Sequence, residues 1–289
     1  MFYRCVLIAL ISLHCVAANA KPDSMPFVVQ AHALHDTPFA GIILDARDPN
    51  DYRRGHLPGA VNLHVELTFD PTQSHLIAGL STIQALLRST GVELEREVVI
   101  YDDGEFLDAS RLFWVLEVFG HRKVKILDGG MRRWVELGLG ESTKVPLVRA
   151  SNYVAQLNPS RLATKFATLV TLRKRTGTLI DARPRVEFIG QESKSTRSGH
   201  IPTAINIPWE FNYQQEGSSK RLLHKDALEA LYSSIPKDLP VTTYCNRGRQ
   251  SALTYFVLRN LGYDVAGYDG SWIEWGADPS LPIIKSATQ

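Results

Sequence analysis

A chain of 289 residues, 44% hydrophobic and 21% charged, has the composition of an ordinary globular protein and is long enough for one large domain or two of medium size. Its formal charge is +2, with lysines and arginines scattered along the chain. That excludes a massed basic face for nucleic acid, and disorder is not indicated.

At the start, Arg4 precedes an apolar run over 5–16, and Ala18-Asn19-Ala20 places small residues at the positions a signal peptidase inspects. Residues 1–20 read as a cleaved secretory signal. The run is well short of the roughly 20 apolar residues that span a bilayer, and no later segment reaches that length, so no membrane span is expected. Short β-branched runs predict strands over 41–44, 98–101 and 124–127. Ser81 is placed to cap a helix ending near Ser89, and 110–119 reads as a helix stopped by Gly120. Weak periodicity over 142–160 marks a linker. Beyond it, strands are expected over 178–180, 241–244 and 265–268, with a helix over 249–261 stopped by Gly262. Strands alternating with helices predict an α/β fold in which parallel sheets are flanked by helices.

The two halves repeat. Leu44-Asp45-Ala46-Arg47 matches Ile180-Asp181-Ala182-Arg183, and Gly55-His56-Leu57-Pro58 with Asn62 matches Gly199-His200-Ile201-Pro202 with Asn206. Val98 to Asp102 matches Val241 to Cys245, and Asp128-Gly129 with Trp134 matches Asp269-Gly270 with Trp275. The offset stays between 136 and 144 residues, and its largest change falls at a polar insertion over 191–198, expected as a surface loop. Domains are therefore expected over 26–145 and 160–285. Histidines that recur in both halves read as turn-packing residues, and Trp114, Trp134, Trp272 and Trp275 as core and cleft walls.

If the signal leaves with Cys5 and Cys15, one thiol remains, Cys245, and no intrachain disulfide is possible. An unpaired thiol in an oxidising compartment calls for a chemical explanation. Cys245 follows a strand, and Asn246-Arg247-Gly248-Arg249-Gln250 leads straight into a helix. In open parallel sheets, ligands bind beyond the carboxyl ends of the strands. A loop curled ahead of a helix turns backbone N–H groups inward and makes a pocket for an anion, with Gly248 permitting the curl. A thiol at its rim, beside Arg247 and Arg249, is in a setting that favours the thiolate.

With these motifs in hand, the chain resembles the tandem rhodanese family of thiosulfate and 3-mercaptopyruvate sulfurtransferases over nearly its whole mature length. The resemblance implies two rhodanese-like domains. It also implies that Cys245 takes sulfur from a small donor such as thiosulfate, holds it as a persulfide and passes it to a thiol or cyanide. Asn246, Arg247, Gly248, Arg249 and Gln250 are implied as the anion-binding loop, with no metal and no organic cofactor. The first domain, with Asp102 in place of the cysteine, is implied to be structural. The family's usual habitat points to the periplasm, and a monomer is expected. The duplication accounts for Asp102 without a metal cluster of Asp102, Asp103 and Asp108.

Two departures bear on the donor. Two-domain thiosulfate enzymes place an arginine shortly after the Asp-x-Arg phrase, where this chain has Glu187, so Arg185 or Arg247 is expected to take over the donor's anionic group. The Cys245 loop also lacks the Gly-Val-Thr ending of both two-domain classes, leaving thiosulfate against mercaptopyruvate open. Related phosphatases carry Cys-x5-Arg, and here Ser251 stands in the arginine's place. A third reading is a redox-sensing module or a persulfide carrier without turnover.

Overall fold

The β-branched runs pair side by side because each is apolar on both faces and needs cover above and below. In a computed structural model describing residues 25–285, the first half runs β1 (Val28–Val29), α1 (Ala31–His35), β2 (Ile42–Asp45), α2 (Pro49–Arg54), β3 (Val61–Asn62), α3 (Leu80–Ser89), β4 (Val98–Tyr101), α4 (Leu107–Val118), β5 (Val124–Leu127) and α5 (Gly130–Glu136). Its five strands are parallel, in the order β1-β5-β4-β2-β3. The second half runs β6 (Leu162–Ala163), α6 (Lys165–Lys174), β7 (Thr178–Asp181), α7 (Arg185–Phe188), β8 (Ile205–Asn206), β9 (Tyr213–Glu216), β10 (Ser219–Leu222), α8 (Lys225–Leu231), β11 (Val241–Tyr244), α9 (Gln250–Asn260), β12 (Val265–Tyr268) and α10 (Ser271–Ala277). Its sheet order, β6-β12-β11-β7-β8, is that of the first half, strand for strand. Every residue of the central strands β4 and β11 is buried.

The repeated phrases build the same hydrogen-bonded cassette twice. Asp45 holds Arg47 through both carboxylate oxygens, and Arg47 Nη2 reaches the Gly55 carbonyl at 2.7 Å. Asp181 and Arg183 do the same, with Gly199 as the acceptor at 2.8 Å. Asn62 and Asn206 each donate to the two carbonyls of their own Asp-Ala-Arg phrase. His56 stacks on Tyr52 and His200 on Phe188, each bonded to a backbone carbonyl of its own half, so both pack a turn.

The halves meet through α4 and α9, where Phe113 meets Phe256 edge-on with ring centroids 4.9 Å apart. Both helices are buried along most of their length, which is why neither shows a strong amphipathic pattern. Glu117 of α4 accepts from the Tyr255 hydroxyl at 2.6 Å and from Arg259. The Asp-Gly phrases are cross-domain clasps. Asp128 takes Arg221 and the Leu222 N–H from the β9–β10 hairpin, while Asp269 takes the Ile77 N–H and Arg111 from the first half.

Several expectations need correction. The helix expected from Ser81 starts at Leu80 behind Gly79, with no side-chain cap. Helix α4 starts three residues early, at Leu107, because Phe106 takes a left-handed conformation (φ 64) that turns the chain into it. The polar insertion is not a simple surface loop. Arg197 donates to the Trp275 and Gly276 carbonyls at the end of α10, and Ser193 meets the Trp272 indole, so the segment ties α10 to the domain. The β9–β10 hairpin is largely polar and the edge strands are two residues long, too short to give a strand pattern in the sequence. Residues 142–160 lack helix and strand as expected, yet Tyr153 is buried and donates to the Phe119 carbonyl, strapping the linker to the first half. The signal reading over 1–20 lies outside the described residues. Among these, no helix is long and apolar enough to cross a membrane.

Candidate active site

Strand β11 delivers Cys245 to the floor of a cavity of about 750 Å³ between the halves. The cysteine is only 1% exposed, yet it lines that cavity with Asn246, Arg247, Arg249 and Gln250. Its backbone is clamped by α10: the N–H donates to Ser271 Oγ at 3.4 Å, and the carbonyl accepts from the Trp272 N–H at 2.9 Å. Ser251, in the first turn of α9, donates its hydroxyl to Sγ at 3.4 Å.

The first half shows what such a loop binds. Asp102, at the duplicated position, is buried, and its Oδ1 accepts from the N–H groups of Gly104 (2.8 Å) and Phe106 (3.2 Å). Its Oδ2 accepts from those of Asp108 and Ala109, both at 3.2 Å. Four amides thus close on one carboxylate. Burial, with Asp103 and Asp108 close by, pushes the Asp102 pKa up, and the amides pull against it. In the second half the cysteine is too short to fill the cup. The N–H groups of Asn246, Arg247, Gly248, Arg249 and Gln250 have no acceptor among the described residues. Buried or half-buried donors in this state are a seat for an anion.

The charged residues divide by task. Arg249 is engaged by the first half: its Nε donates to Asp108 at 2.7 Å and its Nη1 to Glu66 at 3.0 Å. Arg247 Nη2 bonds the Ser74 carbonyl at 2.8 Å, and its guanidinium lies 5.3 Å from the Phe69 ring centroid while facing the cavity. Arg185 is exposed on α7 and does not line the cavity, so it is not brought to the site. Glu187 is buried beneath the loop and accepts from Asn246 Nδ2 at 2.8 Å, with Arg183 at 3.8 Å. It braces the loop and does not occupy a donor-binding position. Sequence reasoning missed Lys194, an exposed cation of the insertion that lines the cavity beside Cys245.

A family model described as a rhodanese-like domain matches residues 29–137 and again 166–278. The chain belongs to the rhodanese family of sulfurtransferases. This rhodanese is 31% identical to the 3-mercaptopyruvate sulfurtransferase of Escherichia coli over 247 residues, covering 83% of this chain and 86% of that protein. It is 33% identical over 283 residues, 93% of each chain, to SseA of Mycobacterium tuberculosis, which is provisionally named a thiosulfate sulfurtransferase. The crystal structure of SseA from Escherichia coli, described as a 3-mercaptopyruvate sulfotransferase of "Rhodanese" fold, superposes with a TM-score of 0.75, covering 85% of this chain and 98% of that one. The expected tandem architecture is therefore met in full, with α/β sheets of one order in both halves.

Proposed function

We propose that this rhodanese moves sulfane sulfur from a small anionic donor, thiosulfate or mercaptopyruvate, to a thiophilic acceptor through a persulfide on Cys245. The observation that carries the reading is the pair of duplicated loops: one closes four amides on a carboxylate, the other presents open amides around a cysteine. With thiosulfate, the Cys245 thiolate attacks the outer sulfur, a new S–S bond forms, and the donor's S–S bond breaks with its electron pair leaving on sulfite. The terminal sulfur of the resulting Cys–S–S⁻ carries the charge, and the loop amides without acceptors and the Ser251 hydroxyl that donates to Sγ support its stabilisation there. A thiol or cyanide then attacks that sulfur and regenerates the thiolate. Lys194 and Arg247 supply the positive edge for the donor's anionic group, since Arg249 is already matched by Asp108 and Glu66. The chemistry calls for no metal or organic cofactor.

Intact mass after reduction and incubation with each donor tests the proposal. One added sulfur atom, absent in Cys245→Ser and lost when cyanide or a thiol is added, is the expected result. A sulfur that loads but is not released to either acceptor indicates a carrier without turnover. An unchanged mass with both donors refutes the reading. Export to the periplasm belongs to the same proposal, and the amino-terminal sequence of the protein recovered from its native compartment checks the cleavage after Ala20.

A further inference from the structure

Arg111 lies on α4 of the first half, yet its guanidinium ends beneath the sulfur-bearing loop of the second. It is completely buried. Nη1 donates to the Gly248 carbonyl at 3.4 Å, and both Nη atoms stand 3.5 Å from Asp269 Oδ1. The guanidinium lies 4.3 Å from the Phe69 ring centroid and 4.4 Å from that of Trp114, and its Nε has no partner among the described residues. The contact with the loop is close enough to fix a residue type. Gly248 has φ 73, and a Cβ there would sit 2.6 Å from Arg111 Nη1. The duplicated position on α9 is Thr254, which is neutral. A buried cation is costly unless it is well matched. This one is matched loosely, by long bonds to one carboxylate and one carbonyl. Burial is the largest influence on the Arg111 pKa and lowers it, while Asp269 and the Cys245 sulfur act in the opposite direction.

We propose that Arg111 is a positioning residue for sulfur transfer, holding the curl of the 245–250 loop through the Gly248 carbonyl and setting a fixed, buried positive charge against the loop that presents the sulfur. The assignment rests on Cys245 as the sulfur carrier. Other charged groups line the cavity with Cys245 or pack against Arg111. Arg247 and Arg249 come from the Cys245 loop, Asp108 from α4, Asp269 from the turn before α10, and Lys194 from the insertion. Glu187 acts through Asn246, and Asp102 and Asp103 line the far wall. Arg249 is neutralised by Asp108 and Glu66, Lys194 is solvated, and Arg247 is half-buried against the Ser74 carbonyl, so Arg111 is the fully buried cation of the set.

The test is the pH dependence of Cys245 alkylation by iodoacetamide in the full chain, for Arg111→Met, Arg111→Lys and Asp269→Asn. Removing the cation in Arg111→Met is expected to move half-maximal reactivity to higher pH and to lower the rate at neutral pH on the order of tenfold. Arg111→Lys restores most of the profile while sulfur loading stays slow, because one ammonium cannot span the Gly248 carbonyl and Asp269 as the guanidinium does. Asp269→Asn leaves Arg111 less neutralised and shifts the profile the other way. Opposite shifts in the two variants are not produced by mere loosening of the fold, which circular dichroism and thermal melting monitor. If Arg111→Met does not fold, the Asp269→Asn profile and the sulfur-loading rate of Arg111→Lys decide. Arg111→Met and Asp269→Asn profiles equal to the wild type or shifted in the same direction, or, where Arg111→Met does not fold, an unshifted Asp269→Asn profile or wild-type loading in Arg111→Lys, overturn the proposal. Alkylation needs no donor, so a wild-type chain that never loads sulfur defeats the sulfurtransferase reading without altering this readout.

Discussion

The loops after β4 and β11 share an origin and a sheet position but differ in what sits at their centre. In the first half the acceptor is covalent and fully bonded: the Asp102 carboxyl takes four amides. In the second half the same point holds a cysteine, the amides are open, and a serine hydroxyl reaches the sulfur. Phe106 and Gly104 take positive φ in the first loop, whereas Gly248 alone does so in the second. One cup is thus locked by its own side chain, and the other is held open by its neighbours: Glu187 under Asn246, Arg111 under Gly248, and Asp108 against Arg249. The first domain is catalytically silent in this reading yet supplies two of those three braces.

Making the second loop like the first is the harshest test of this contrast. Cys245→Asp is expected to abolish sulfur transfer, measured as loss of sulfite release from thiosulfate. Emptying the first loop comes next. Asp102→Ala orphans four amide donors, three of them buried, and should lower unfolding free energy by about 1–3 kcal/mol, read from denaturant titration, with Cys245 chemistry largely retained.

The pH response of Asp102 sharpens the same point. Its folded-state pKa is raised by burial above the usual carboxylate value, so the folded state holds its proton more tightly than the unfolded chain. The stability from this group is present below the ordinary carboxylate pKa and is lost as pH rises from there toward the raised value. Melting temperature should therefore decline over that window, and Asp102→Asn should flatten the decline.

Smaller effects are expected at the rim. Glu187→Ala removes the charge-assisted bond to Asn246 and should slow sulfur loading about tenfold in stopped-flow measurements. Lys194→Ala should raise KM for an anionic donor at most about fivefold, the worth of a solvated charge contact, with kcat little changed. Arg185→Ala should change neither constant, because its side chain is outside the cavity.

Much of the molecule was legible in the chain itself. Strand positions, the duplication and the placement of Cys245 after an apolar strand follow from local patterns, since a buried parallel strand must be apolar and a loop entering a helix must turn its amides to one side. Glu187 stood out as a departure, but its task was invisible because the partner, Asn246, is 59 residues away. Lys194 lay in a segment read as surface, and only the packing of Arg197 and Ser193 against α10 carries it to the cavity. Arg249, expected in the anion-binding loop, is claimed by Asp108 and Glu66 from the other half. Local patterns and the internal repeat thus determined the fold class and the duplication, and pointed to Cys245 as the candidate site. Which charges reach the sulfur, and which are spent on each other, was decided by the meeting of α4 with α9, because electrostatic pairing depends on distances in space that no spacing along the chain encodes.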